Sequence, residues 1–272
     1  MLKQVISHSP LGSIVCHRFP NHVVNLPIRN FLFFSANTTQ IYVKENMEWE
    51  GCSDTTPYKP DSIESRNALI KRIKEIGNDE EMWMNLELCH FNANRWELLN
   101  ENEPTKYWAP LHYAANRGVT VKVIEKLVEK CGWRSLKDAD GNTPLDLAKK
   151  SNHSHLYEVL KPQFIATFND DYMDGVEKHF HELINERASE LVQKHKLRLP
   201  QLRPVLENHF CDRTSFPVPG MYGGFYYEFD IDEESNEIGC LKVDSWCRVA
   251  GGSGQTHHVT NEGYTLVAEG FV

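Results

Sequence analysis

The sequence contains no long apolar run. The longest, Phe31-Leu-Phe-Phe34, is far shorter than the roughly 20 apolar residues that a membrane-spanning helix needs. The N-terminus also lacks a basic segment followed by an apolar one, which is the pattern of a secretory signal. We therefore expect no membrane partner and an intracellular, most simply cytoplasmic, location.

Cysteine and histidine show little organisation. The 7 cysteines are odd in number and scattered without a CxxC pair, so neither a disulfide framework nor a zinc ribbon is indicated. The 13 histidines lack a paired ligand spacing. His179 and His181 would point about 200° apart on a helix, and His257 and His258 would face opposite sides of a strand. We expect reduced thiols, no metal and no other cofactor.

Basic residues are in the minority. Lys and Arg number 29 against 38 Asp and Glu, a formal net charge of −9, and residues 201–272 carry four basic residues against eleven acidic ones. Nucleic acids and anionic membranes require cations at the contact surface, so neither is an expected partner. The 272 residues, 40% hydrophobic and 25% charged, are typical of a globular protein of one large or two smaller domains.

Two similar motifs lie 34 residues apart in the centre of the chain. Ala109-Pro-Leu-His-Tyr-Ala-Ala115 recurs as Thr143-Pro-Leu-Asp-Leu-Ala148. Thr143 is suited to cap a helix whose first residue is a proline, and Gly118 is suited to a left-handed turn. An apolar stripe between the motifs predicts a second helix; its members are Val121, Val123, Ile124, Leu127 and Val128. A period of this length is typical of a repeat protein.

Residues 105–162 resemble the ankyrin repeat. The unit of that family has about 33 residues and consists of a turn, a helix that begins T-P-L-H-x-A, and a second antiparallel helix. Here Ala109 replaces the capping threonine, Tyr107 stands where a turn glycine is usual, and Asp146 replaces the histidine. Such departures are typical of terminal repeats. Because a repeat array normally needs at least three units, we expect residues 61–100 to add a degenerate unit or a cap.

The flanking segments show different periodicities. Asp61 or Ser62 is predicted to cap a helix that Gly77 stops, residues 80–100 are mostly helix-compatible, and Asp171 to Lys196 is predicted to form one long amphipathic helix. Residues 216–272 hold nine of the 16 glycines. Three segments there read as strands: 225–229, 241–246 and 264–268. The strings 216–225 and 245–255 resemble a region found behind ankyrin repeats in some microbial proteins, a resemblance that implies no function.

These patterns together predict an α+β fold. We expect a short ankyrin-type helical repeat array, followed by a long helix and a small antiparallel β-rich C-terminal region. The predicted domains are an unassigned N-terminal segment at 1–60, ankyrin-like repeats at 61–162 with a degenerate N-terminal unit, and an α+β C-terminal domain at 163–272.

The resemblance implies a protein that binds other proteins through its projecting turns and inner helices. The candidate partner-binding residues precede the two motifs; they are Tyr107, Trp108, Lys137, Asp138, Asp140 and Asn142. The four in the second turn are expected to be exposed. The two aromatic residues have two interpretations. They are either exposed and available as binding hot spots, or packed against residues 61–100.

An enzyme is the alternative, with catalysis in residues 163–272 and substrate recruitment by the repeats. The glycine-rich string 251–256 lacks the lysine of a phosphate-binding loop and is predicted to be a hairpin. Nucleophilic catalysis would need Cys211 or Cys247 with a histidine, or Ser253 with His257 or His258, and no G-x-S-x-G elbow is present. A pocket in which Arg248, Cys211 and either His257 or His258 converge would favour this hypothesis.

Overall fold

The computed structural model describes residues 47–89, 92–99, 104–207, 213–248 and 253–270. Within these ranges the protein is mixed α+β, with six α-helices, two 3-10 helices and one six-stranded, mostly antiparallel sheet. Most of the N-terminal segment predicted as unassigned, residues 1–46, lies outside the described part of the chain.

Two of the α-helices lie in the repeated motifs, one lies between the motifs, and the other three flank them. They are α1 (Pro60–Ile76), α2 (Glu80–Met84), α3 (Pro110–Arg117), α4 (Val121–Glu129), α5 (Pro144–Lys150) and α6 (Asp170–Lys194). The 3-10 helices are Ser154–Leu156 and Arg203–Glu207. Helix α1 ends before Gly77 as predicted, but its N-cap is Lys59 instead of Asp61 or Ser62, because Pro60 already occupies the first turn.

The helices of the repeated motifs begin and end at the expected residues. Helices α3 and α5 each have a proline in the first position. The Thr143 hydroxyl accepts a hydrogen bond from Asp146 N at 3.3 Å, and Thr143 N donates to Asp146 Oδ2 at 3.0 Å. Gly118 ends α3 with φ 66° and ψ 42°, and Asn152 takes a left-handed φ of 59°. After α5, only a 3-10 turn follows, not a second α-helix.

The predicted helical stretch at residues 80–100 is largely wrong. Helix α2 ends at Met84, and the described residues that follow it, to Leu99, are not helical. The indoles stabilise the irregular backbone instead, since Trp83 Nε1 donates to Gly77 O at 3.0 Å and Trp96 Nε1 donates to Cys52 O at 3.0 Å. The apolar spacing did not predict the structure here, because Trp83 and Trp96 are buried against different segments of the chain and not along one face of a helix.

Helix α6 packs its apolar stripe against the sheet. Asn169 caps the helix, since its Oδ1 accepts a hydrogen bond from Asp171 N at 2.7 Å. The buried stripe consists of Met173, Val176, Phe180, Leu183, Ile184, Ala188 and Val192. Ala188 departs from helical geometry, with φ −147° and ψ 23°, so the helix is kinked there. It ends at Lys194, two residues before the predicted end.

The sheet has the strand order β1-β2-β3-β4-β5-β6. Its strands are β1 (Met47–Glu48), β2 (Thr214–Val218), β3 (Gly223–Ile231), β4 (Ile238–Cys247), β5 (Ser253–Thr260) and β6 (Gly263–Gly270). Only the β1–β2 pair is parallel among these neighbours. The sequence predicted β3, β4 and β6 but missed β1, β2 and β5. The hairpin predicted for the string 251–256 does not extend over residues 253–256, which belong to β5, and residues 251–252 lie outside the described part of the chain.

Two apolar cores hold the described residues together. One lies beneath helices α1 to α5, around Ile70, Leu111 and Ile124. The other lies between α6 and the sheet, and it also takes in Trp49 and Trp133. Residues 47–54, from the segment predicted as unassigned, therefore contribute a strand and core residues to the C-terminal sheet. The second core spans the predicted boundary at residue 162.

Candidate functional site

The turn at residues 137–142 is organised around the carboxylate of Asp138. Its Oδ1 accepts hydrogen bonds from Asp140 N at 2.9 Å and Asn142 N at 2.8 Å, and its Oδ2 accepts one from Trp108 Nε1 at 2.9 Å. Burial raises the pKa of this carboxyl, but the hydrogen bonds outweigh burial and hold the pKa below its ordinary value. The expected exposure of Asp138 is wrong. Only 6% of the residue is exposed, because its carboxylate is the acceptor that shapes the turn.

The other three turn residues differ in exposure. Lys137 and Asp140 are exposed and Asn142 is half-buried. Asn142 Nδ2 donates to both carboxylate oxygens of Asp138, at 3.2 and 3.3 Å. The backbone N–H of Lys137 donates to Gln201 Oε1 at 2.9 Å. The turn therefore presents the side chains of Lys137 and Asp140 to solvent on a fixed backbone.

Tyr107 packs inward. Its backbone is left-handed, with φ 56°, the region that usually favours glycine. Its ring meets Trp96 edge-on, with centroids 5.3 Å apart, and the Arg198 guanidinium lies 4.4 Å from the ring centroid. Of the two interpretations of Tyr107, packing against residues 61–100 is the one that the structure supports.

Trp108 is half-exposed and belongs to an aromatic–basic ladder, which we define as Lys106, Trp108, Tyr113 and Arg117. Lys106 Nζ lies 5.1 Å from the Trp108 ring centroid. The Trp108 and Tyr113 rings meet edge to face, with centroids 5.2 Å apart and planes at 79°. Arg117 Cζ lies 5.9 Å from the Tyr113 centroid. Trp108 was predicted from the sequence. The other three were missed, although Tyr113 and Arg117 have the spacing of neighbours on a helix face.

Both ends of the ladder are anchored to neighbouring elements. Arg117 Nη1 donates to Ile73 O at 2.5 Å and Nη2 donates to Lys74 O at 3.0 Å, at the C-terminal end of α1. Burial, followed by the charge of Glu97, raises the pKa of Tyr113 to about 12, so the phenol is neutral at physiological pH. Lys106 is exposed, and its backbone carbonyl accepts a hydrogen bond from Ala139 N at 3.0 Å.

His112 fixes the start of α3 beneath the ladder. Its Nδ1 accepts a hydrogen bond from Ala109 N at 3.2 Å, and its Nε2 bonds Leu136 O at 3.0 Å. These partners require the neutral ring with hydrogen on Nε2. Burial lowers the pKa of His112 to about 4, which agrees with a neutral imidazole. The side chain replaces the missing cap of Ala109 and ties α3 to residue 136.

A second candidate site, missed by sequence reasoning, is a cavity of about 340 Å³ lined by Tyr226 and Asp244, which alternate with the core residues Tyr227 and Val243 and therefore face away from α6. The side chains of Tyr226, Asp244, Trp246 and Thr256 contribute to its lining. Its position was not predictable from spacing, because it depends on the pairing of β3 to β6. We call it the outer-sheet cavity.

Comparison of the chain with protein-family models, curated proteins and solved structures finds no match.

The residues of the enzyme hypothesis do not meet at the outer-sheet cavity. Arg248 lines it, but His257 and His258 do not. His257 is buried and lies on the opposite face of the sheet, against Tyr264. Burial, followed by the charge of Arg187, lowers the pKa of His257. Cys211 lies outside the described residues.

The described ranges contain neither a metal site nor a membrane-spanning helix. No group of three or more His, Cys, Asp or Glu side chains there is arranged to hold a metal ion. Likewise, none of the helices in the described part of the chain has the length and apolar character required to cross a membrane. His179 and His181, two of the histidines considered above, bond separate backbone carbonyls, those of Thr260 and Pro200.

Proposed function

We propose that this chain is a protein-interaction protein, in which residues 105–162 act as an ankyrin-type module and the C-terminal sheet is an accessory domain. The aromatic–basic ladder is the observation that carries the proposal. It joins the residues before the first motif to the outward side of α3, and Trp, Tyr and Arg are the residue types most enriched at binding hot spots.

The ladder is preorganised for binding. Trp108 is held by Asp138, and Arg117 is held by two carbonyls of α1, so neither side chain must be ordered when a partner arrives. Reduced ordering cost raises affinity. The half-exposed indole supplies apolar contact area, and Lys106 beside it favours a partner with an acidic group near an apolar one.

An intracellular, cytoplasmic location is part of the proposal. It is supported by the cysteines within the described ranges, which are free; they are Cys52, Cys89, Cys131, Cys240 and Cys247. Free thiols are the usual state in reducing compartments.

The test compares capture of binding proteins by the full chain and by two ladder variants, Trp108→Ala and Lys106→Glu. Tyr222→Ala is the matched control, because Tyr222 is an aromatic residue with 75% exposure outside the ladder. Proteins captured from lysate of expressing cells are quantified by mass spectrometry, and folding of each variant is checked by circular dichroism.

We expect at least one protein whose capture falls about tenfold or more with Trp108→Ala, as for a hot spot of about 2 kcal/mol, but not with Tyr222→Ala. Lys106→Glu keeps the Trp108–Asp138 hydrogen bond, so a parallel loss with this variant separates binding from folding. Equal capture by all four proteins, or no captured protein, would contradict the proposal.

A further inference from the structure

Trp246 lies in a row of glycines that crosses four strands. In the strand register, Trp246 on β4 is opposite Gly224 on β3 and Gly254 on β5, and Gly254 is opposite Gly270 on β6. Directly paired residues share one face of a sheet. On the side of β5 and β6, the indole therefore has two successive neighbours without side chains.

Packing explains only part of this row. A Cβ on Gly224 would collide with the carbonyl oxygen of Phe216, so glycine is required there by the approach of β2. A Cβ on Gly270 would meet no atom within 4 Å. Neighbouring atoms therefore do not exclude a side chain at Gly270. The absence of a side chain at Gly270 leaves open space on the sheet beside the indole, and the outer-sheet cavity lies in that space.

The indole is held in a fixed orientation. The rings of Tyr226 and Trp246 stack with centroids 4.2 Å apart and planes within 11°. Tyr226 therefore covers one face of the indole, and a ligand in the cavity can stack only on the other. Because the stack fixes the ring before binding, little side-chain entropy is lost when a ligand arrives.

Polar groups of both kinds surround this platform. Asp244 Oδ1 accepts a hydrogen bond from Thr256 Oγ1 at 2.7 Å, and Asp244 Oδ2 pairs with Arg213 Nη2 at 3.0 Å. Arg248, which is exposed, adds a guanidinium at the cavity. The Asp244 carboxylate is thus fixed in position and its charge is offset, so the site suits a neutral ligand rich in hydroxyl groups.

We propose that the outer-sheet cavity binds a saccharide, specifically a hexopyranose whose hydroxyls are equatorial. Such a ring presents a flat face of C–H bonds that fits an indole, while its rim of hydroxyls meets the carboxylate of Asp244 and the guanidinium of Arg248. The volume of about 340 Å³ lies at the lower end of the roughly 300–1,000 Å³ of small-molecule sites.

The charges around the cavity favour a neutral sugar over a nucleotide. The charged residues that line the cavity are Asp244, Glu269 and Arg248, and the nearby Arg213 is already engaged by Asp244 and Glu228. These charges give a phosphate group no net attraction. A neutral sugar ring makes the same stacking contact and does not require such attraction. The proposal is independent of the aromatic–basic ladder, which lies on the helical part of the chain.

The test is saturation-transfer NMR on the full chain, with methyl β-glucopyranoside, N-acetylglucosamine, cellobiose and adenosine monophosphate as probes. We expect transfer to the ring C–H protons of at least one sugar and a weaker signal for the nucleotide. Trp246→Ala should raise the dissociation constant at least tenfold.

Trp246→Ala also removes the stacking partner of Tyr226, so this variant could lose binding because it misfolds. A second variant therefore tests binding with the stack intact. Gly270→Leu adds bulk to the cavity at a position with no neighbouring atoms, and we expect the same loss of binding. Thr265→Leu, on the same strand but outside the lining, should bind as the wild type does. Absence of transfer to every sugar, unchanged binding by Gly270→Leu, or preference for the nucleotide would overturn the proposal.

Discussion

The indole Nε1 of Trp108 donates a hydrogen bond of 2.9 Å to Oδ2 of Asp138. The bond joins the segments that precede the two similar motifs. Trp108 is therefore the half-exposed aromatic centre of the candidate binding surface, and Asp138 is the buried acceptor that holds it. Two residues predicted to act alike as contacts have different roles.

Asp138→Asn should destabilise the protein. The amide of Asn keeps one acceptor, but its NH2 group would face either the indole N–H of Trp108 or the backbone N–H groups of Asp140 and Asn142, depending on the orientation of the amide. We expect a loss of about 1–3 kcal/mol in the free energy of unfolding, the usual cost of leaving buried donors unpaired. Asp140→Asn is the control, because Asp140 is exposed, and it should stay within about 0.5 kcal/mol of the wild type. Urea denaturation measures both, and equal stabilities would contradict this role of Asp138.

His112 should make the protein less stable as the pH falls. Its folded pKa is about 4, lowered by burial from an ordinary value of 6.5. Above pH 6.5 the ring is neutral in both states and the stabilisation is complete. As the pH falls from about 6.5 to about 4, His112 is protonated in the unfolded chain but stays neutral in the folded protein. The free energy of unfolding therefore decreases by about 3 kcal/mol.

His112→Gln isolates this contribution from that of the other histidines. The variant will be less stable at every pH, since the hydrogen bonds to Ala109 and Leu136 change. Its loss of stability between pH 7.5 and pH 4.5 should nevertheless be smaller than that of the wild type by about 2–3 kcal/mol. Identical pH dependence in the two proteins would show that His112 does not titrate as the geometry requires.

Gly118→Ala and Gly141→Ala form a matched pair. Both glycines have positive φ, 66° and 79°, so each alanine adds backbone strain of about 1–2 kcal/mol. A Cβ on Gly118 would also collide with the imidazole of His153, whereas a Cβ on Gly141 would meet nothing within 4 Å. We expect Gly118→Ala to be more destabilising by a further 1–3 kcal/mol or so, measured by thermal or urea unfolding. A larger effect at Gly141 would contradict the packing of His153 against α3.

Tyr107→Gly tests which of two effects is larger. Glycine would relieve the left-handed strain of Tyr107, roughly 1 kcal/mol, but would remove a ring packed on Trp96 and Arg198. Burial and aromatic contact of such a ring contribute about 2–3 kcal/mol. We expect net destabilisation of about 1–2 kcal/mol, whereas Tyr107→Phe, which keeps the ring, should remain within about 0.5 kcal/mol of the wild type. Stabilisation by glycine would mean that strain outweighs packing.

Local signals in the sequence predicted the ends of several elements. Gly77 and Gly118 follow the last residues of α1 and α3, and Thr143 caps α5. These predictions succeed because caps and left-handed turns depend on the chemistry of a few adjacent residues. Strand β5 was missed because its glycine and polar residues show no alternation; it is a strand because β4 and β6 pair with it.

Of the candidate sites, Trp108 was predictable and the outer-sheet cavity was not. An aromatic residue before a repeat helix is a local signal. The bare surface beside Trp246 exists only when Gly254 and Gly270, distant in sequence from each other, are brought into register by antiparallel pairing. The prediction that Asp138 is exposed was wrong for a related reason, since its burial depends on a contact with Trp108, 30 residues away in the sequence.

The sequence by itself determined the α+β class, the helix boundaries near residues 77, 110, 118 and 144, and the three most apolar strands, because each follows from periodicity or capping over short distances. Tertiary structure alone decided that β1 joins the C-terminal sheet, that Tyr107 packs inward, and that a cavity forms beside Trp246. These features depend on contacts between residues far apart in the chain, and such contacts are selected by the packing of the whole core rather than by local conformational preference.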